Sequence, residues 1–140
     1  WQSQRARATV QDAVEAAVEV IGGQRAEGGP VRIHASGRTD TGVHALGQVA
    51  HFDPPAGTRL GEVEWHRALN AVLPPTIRVM RCEQVAPDFH ARFSAHSRTY
   101  HYVLYNNPNR SALLAGRAGW VFRPIDVELM RDALEEYLGV

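Results

Sequence analysis

Lysine is absent from this chain, so that all 15 basic residues are arginine. Gly37 and Gly42 have the spacing of a phosphate-binding loop, but Val43-His44 stand where such a loop needs its Lys-Ser/Thr pair, and that class is excluded. Cysteine is nearly absent as well. A lone Cys82 rules out an internal disulfide and, in an apolar alternating segment, reads as a packed thiol with no assigned function. No HExxH, no paired cysteines and no second histidine-rich cluster accompany Asp40 and His44, so a metal site is not expected. No apolar run is long enough for a signal peptide or a membrane span, which makes the cytoplasm the expected compartment. Net charge is missing too: the formal value is +0 at pH 7, which gives no global attraction to nucleic acid. Internal repeats and low-complexity segments are not visible, apart from the local glycine bias of residues 22–30.

What is present suffices for one domain, with 140 residues of which 44% are hydrophobic. Thr9 followed by Asp12 reads as a helix N-cap, and Val10, Ala13, Val14, Ala17, Val18 and Ile21 form one apolar stripe ended by Gly22-Gly23. Residues 24–30 form a glycine-rich connection, the most flexible segment expected. Val31, Ile33 and Ala35 alternate with Arg32, His34 and Ser36 as in a half-buried strand that Gly37 ends. Residues 48–52 predict another strand, and residues 62–73 a second helix with Trp65, Ala68, Leu69 and Val72 inward and Pro74-Pro75 as its stop. A strand over 76–85, a loop over 87–97, and a strand over 98–105 with Arg98, Tyr100, Tyr102 and Leu104 on one face come next. Residues 106–109 turn, and residues 118–122 give a short strand. Asp126 then caps a last helix with Val127, Met130, Leu134, Tyr137 and Leu138 inward and Gly139 at its end. This pattern predicts an α+β fold with a largely antiparallel sheet and helices on one face.

Chemistry concentrates between Gly37 and Ala45, where a loop carrying Arg38, Asp40 and His44 leaves the end of a strand. If the backbone stays extended there, Arg38 and Asp40 share a face and the guanidinium can hold the carboxylate ionised, as a nucleophile requires. The same residues also fit a polar turn with a surface ion pair. A second concentration lies further on, where residues 88–123 carry Arg92, Arg98, Arg110, Arg117 and Arg123 against Asp88 alone. Phe89, Phe93, Tyr100, Tyr102 and Tyr105 are interleaved with them, the mixture of cation and π-face that single-stranded nucleic acid binds. The alternative is a strand with packed aromatics and solvated charges. His34 and His51 alternate with core residues and are expected to face solvent or be satisfied locally.

The run Gly37-Arg38-Thr39-Asp40-Thr41-Gly42-Val43-His44-Ala45, followed by residues 47–52 (Gly-Gln-Val-Ala-His-Phe), resembles the signature of the TruA family of tRNA pseudouridine synthases. Residues 88–95 and Arg98-Thr99-Tyr100-His101-Tyr102 resemble the family's other N-terminal motif, and Trp1-Gln2 the tail of its Gly-Trp-Gln element. The resemblance implies a ferredoxin-like half of a pseudouridine synthase catalytic domain. Residues 1–140 would be the N-terminal half, with a first strand and the C-terminal half lying outside the chain. It also implies isomerisation of uridine to pseudouridine in the anticodon stem-loop of tRNA, without metal or cofactor, and a homodimer for the full-length enzyme. Asp40 would be the nucleophile, attacking ribose C1′ or base C6. Arg38 would pair with Asp40 or fill the space left by the flipped nucleotide, and Tyr100 would stack on uracil or help move the C5 proton. Arg92, Arg98, Arg110 and His44 would contact RNA. Two rivals remain at this level: a noncatalytic RNA-binding module, and a structural or dimerisation fragment.

Overall fold

The computed structural model describes residues 1–6, 8–23 and 29–138. The expected connection over 24–28 and the helix stop at Gly139 lie outside the described residues. Thr9 opens the first helix as its spacing to Asp12 predicts. Its side chain accepts from the Asp12 amide while the Asp12 carboxylate accepts from the Thr9 amide, a reciprocal cap for α1 (Val10–Gly22). The second helix, α2 (Glu62–Val72), ends where Leu73 and the following prolines cannot continue it. Ala17 and Val18 of α1 and Trp65 and Leu69 of α2 are buried with Val31, Ile33 and Leu73 in one core. Each large apolar side chain so buried contributes about 1.5–3 kcal/mol. Close approach of the last turn of α1 requires glycine: a Cβ on Gly22 would lie 3.0 Å from Pro55 Cγ and 3.0 Å from Trp65 Cη2.

Several predicted strands form only in part or not at all, and over residues 31–35 and 76–85 helix side chains take hydrogen bonds that a neighbouring strand would have taken. Over residues 31–35 the expected alternation is present, with Val31 and Ile33 buried and Arg32 and His34 exposed. Yet the ladder is confined to β1 (His34–Ala35), which pairs antiparallel with β2 (Ala50–His51) in the register His34 to His51 and Ala35 to Ala50. Upstream of it, the Val31 amide donates to Glu19 Oε1 (3.0 Å) and the Ile33 amide to Glu15 Oε1 (3.1 Å), both on α1. Residues 76–85 form no strand. There Asn70 of α2 accepts from the Val79 amide (2.9 Å) and donates to its carbonyl (2.8 Å), and Glu62 accepts from the Gln84 amide (2.7 Å).

These elements belong to one compact unit, Trp1–Thr41 with Ala45–Arg98, and a second unit comprises Gly42–His44 with Thr99–Val140. In the second, β3 (Leu104–Asn106) pairs with β4 (Gly119–Val121) in parallel, and the predicted strand over 98–105 is reduced to its end. Parallel pairing follows from the connection between them: residues 107–118 are a succession of turns long enough to bring the chain back in the same direction, which a tight hairpin cannot do. Among the described residues the pairing is therefore one antiparallel and one parallel ladder, α+β in class, where a largely antiparallel sheet with helices on one face was expected. Asp126 caps α3 (Val127–Glu135) by accepting from the Glu128 and Leu129 amides at 3.0 Å each. The stripe expected to point inward is exposed, at 61% for Val127, 58% for Leu134 and 85% for Tyr137. Nothing among the described residues buries it. Its upper part, with Leu104 and Ile125, lines a shallow groove of about 320 Å³.

Glu15 is the buried charged residue of the core, 8% exposed, with Arg32 at 3.6 Å and the Ile33 amide on its other side. Replacing Glu15 with Ala leaves that buried amide unpaired and is expected to destabilise the fold by about 1–3 kcal/mol, whereas Glu15→Gln keeps an acceptor and most of the stability. Urea unfolding of the two variants checks this. Equal stabilities for Ala and Gln would contradict it.

Candidate active site

Beyond β1 the chain enters the loop that carries Arg38 and Asp40, and its backbone is held by side-chain and main-chain groups from elsewhere in the first unit. The Ser36 amide donates to the Val49 carbonyl (2.8 Å), extending the ladder by one bond. Arg98 donates from Nε (3.0 Å) and from its NH2 nitrogen (2.6 Å) to the Ser36 carbonyl, and the same NH2 reaches the Arg92 carbonyl (3.2 Å). Gln48 Nε2 donates to the Gly37 carbonyl (2.5 Å), while Gln48 Oε1 accepts from Ser36 Oγ (2.9 Å). The Trp1 nitrogen donates to the Thr39 carbonyl (2.8 Å). Residues 41 and 42 turn, with Gly42 at φ +83°, a left-handed conformation that favours glycine.

The side chains of Arg38 and Asp40 stand outside these bonds. Arg38 and Asp40 are both exposed, and among the described residues neither makes a side-chain hydrogen bond or ion pair. The expected Arg38–Asp40 pair does not form. No ladder constrains residues 38–40, and an ion pair in open water is worth too little to order two side chains. Arg98, expected to face RNA, has its guanidinium on backbone carbonyls. Arg92 is exposed, with its guanidinium carbon 6.0 Å from the Phe93 ring centroid.

A histidine cluster with little signal in the sequence joins the two motif blocks of this unit. His34 and His51 face each other across the ladder with ring centroids 5.2 Å apart, and His90 lies 5.4 Å and 4.6 Å from them. The one available signal was that both strand histidines occupy the same alternation. His51 Nδ1 accepts from the Ala91 amide (3.1 Å), and His90 Nδ1 accepts from the Arg92 amide (3.2 Å), which puts the proton of each neutral ring on Nε2. Burial, followed by the neighbouring His90 and His34, lowers the His51 pKa from its ordinary 6.5, against a weaker opposing pull from Asp53. Among the described residues no three His, Cys, Asp or Glu side chains have metal-binding geometry.

In the second unit Tyr100 and Tyr102 are 69% and 96% exposed. Their rings are not part of a core. Arg110 lies over Trp120, with its guanidinium carbon 4.3 Å from the ring centroid, beside a cavity of about 550 Å³ lined also by Tyr105, Ser111 and Leu114. His44 Nε2 is 3.2 Å from the Gly116 carbonyl, so this signature residue is engaged with backbone and not left free for a ligand at that nitrogen.

Residues 1–94 match the family model described as tRNA pseudouridine synthase. The tRNA pseudouridine synthase A of Bordetella parapertussis is 51% identical over 139 residues, covering 99% of this chain and 50% of that protein. The corresponding proteins of Burkholderia mallei and Methylobacillus flagellatus are 48% and 46% identical, again across 99% of this chain and 49% and 51% of theirs. The chain belongs to the tRNA pseudouridine synthase family. It spans about half the length of the curated relatives it matches.

The histidine cluster carries a pH dependence whose sign is fixed. Because the folded pKa of His51 lies below 6.5, acid protonates the unfolded chain first; the stabilisation is fully present above about pH 6.5 and is lost as pH falls toward the folded value. His51→Gln is expected to flatten the fall in urea midpoint between about pH 7 and about pH 5. An unchanged slope in the variant would contradict the assignment.

Proposed function

We propose that this chain is the N-terminal half of a tRNA pseudouridine synthase that isomerises uridine in the anticodon stem-loop, with Asp40 as the nucleophile. The observation that carries this reading is the signature loop: a backbone tied at the Ser36, Gly37 and Thr39 carbonyls, bearing a carboxylate with no partner among the described residues. Such a group is poised for an incoming ligand, since it has no internal bond to break. The names of relatives 46% and 51% identical to this chain support the same activity.

The reaction breaks the bond from ribose C1′ to uracil N1 and forms one from C1′ to C5, with the C5 proton lost and N1 protonated. Atoms and oxidation level balance without a cofactor. The target base must first be extruded, at a cost of a few kcal/mol. Asp40 then adds to C1′ or to C6; at C1′ the carboxylate traps positive charge developing on the sugar, as in a retaining glycosidase. Arg38, free of Asp40 in this structure, is available to fill the space the nucleotide leaves. Tyr100 offers an exposed aromatic plane on which the extruded base can stack. Arg92 and Arg110 supply cationic contacts for tRNA, and His44 supports the loop.

The full-length protein is proposed to be a cytoplasmic homodimer in which this ferredoxin-like half meets a second of similar build. The exposed apolar stripe of α3 gives such an interface something to bury. Among the described residues no helix is long and apolar enough to cross a membrane.

In the full-length protein Asp40→Asn is expected to abolish tritium release from tRNA labelled at uridine C5 while the fold persists, because an exposed loop carboxylate supports no core. Residual activity within about tenfold of the parent would overturn the nucleophile. Tyr100→Phe is expected to keep most of the single-turnover rate and Tyr100→Ala to lose it; a drop of about a hundredfold in Phe would assign proton transfer instead. Replacing Arg92 and Arg110 together is expected to reduce the salt dependence of tRNA binding by about one unit of slope per lost phosphate contact. An unchanged slope would make both arginines solvated surface.

A further inference from the structure

We infer that Arg98 and Gln48 are positioning residues for catalysis, locking the strand-to-loop junction that aims Asp40; this rests on the reading of Asp40 as nucleophile. Arg98 is exposed and could leave its charge in water, yet both Nε and NH2 converge on one acceptor, the Ser36 carbonyl, and NH2 extends to the Arg92 carbonyl. Among the described residues no carboxylate pairs with it. A planar guanidinium fits this fork, whereas a lysine ammonium, a point charge on a flexible stem, does not. Gln48 holds the next carbonyl, that of Gly37, and is itself oriented by Ser36 Oγ.

Two consecutive carbonyls are therefore fixed by side chains from distant segments just before Asp40, and the Trp1 nitrogen holds a third at Thr39. Slack in residues 36–39 would pass directly into the direction of the carboxylate. A misplacement of about 1 Å in a reacting group can slow a reaction about a hundredfold without weakening substrate binding. The junction also explains a physical link between the two motif blocks: the arginine of the second is spent on the backbone of the first.

The test uses the full-length enzyme with Arg98→Lys and Gln48→Leu, measuring the single-turnover rate at saturating tRNA, the tRNA dissociation constant over a salt series, and the melting temperature. Each variant is expected to lose about tenfold to a hundredfold in rate, with the dissociation constant within about twofold of the parent and the salt slope unchanged. Parent-like rates in both would overturn the inference, as would a weaker, less salt-dependent tRNA affinity in Arg98→Lys with its rate intact, which marks a phosphate contact. A rate loss that only tracks a lower melting temperature also overturns it. Should Arg98→Lys fail to fold, Gln48→Leu, which removes no charge, decides. Asp40→Asn in parallel separates the two claims: full activity there defeats the nucleophile reading, whereas an inactive Asp40→Asn beside fully active Arg98→Lys and Gln48→Leu defeats positioning alone.

Discussion

The carboxylate of Glu15, almost out of water on α1, accepting the Ile33 amide, is the contact on which the first unit turns. It fixes the extended segment to the helix before any strand pairing begins, and the segment then runs through β1 into the signature loop. A buried carboxylate is tolerable because Arg32 approaches one oxygen and the Ile33 amide and Gln11 donate to the other. Asn70 of α2 does the same for Val79 with a neutral amide. Both helices thus act as lateral hydrogen-bonding partners as well as apolar covers, which is how two-residue strands suffice to direct the chain.

Rigid backbone and free side chains meet at the loop that follows. Its carbonyls are bonded by Arg98, Gln48 and Trp1, whereas Arg38 and Asp40 project without partners among the described residues. That division of labour would suit the proposed nucleophile, since the scaffold meets the ordering entropy in advance and leaves the carboxylate its binding capacity. In the same unit His51 ties the turn after His90 to the β1–β2 ladder.

Much of this was legible in the sequence. The Thr9–Asp12 cap, the stripe of α1 and the Asp126 cap are local patterns that survive into the fold, and of the α2 stripe Trp65 and Leu69 are buried while Val72, expected inward, is 45% exposed. The loop bearing Asp40 stands out in the sequence because charged residues lie between two glycines at a strand end, a pattern that also fits a polar turn. Strand extent was not legible: alternation over 31–35 and 76–85 records burial, and burial does not say whether a strand or a helix side chain takes the backbone bonds. The parallel ladder of β3 and β4 was hidden because the direction of return depends on the geometry of the turns over 107–118. Arg98 is read in the sequence from its charge and its aromatic neighbours, and neither signals the bonds its guanidinium makes to the Ser36 and Arg92 carbonyls. The apolar stripe of α3 was read correctly as a stripe, but its burial depends on a partner that amphipathicity does not name.

The central claim is that the clamped loop delivers the Asp40 carboxylate to an extruded uridine. A crystal structure of the full-length protein bound to tRNA tests it most directly. The account predicts Arg98 still on the Ser36 carbonyl and an Asp40 carboxylate oxygen within about 3.5 Å of ribose C1′ or uracil C6. Arg98 on a phosphate, with Asp40 turned away from the flipped nucleotide, would contradict it.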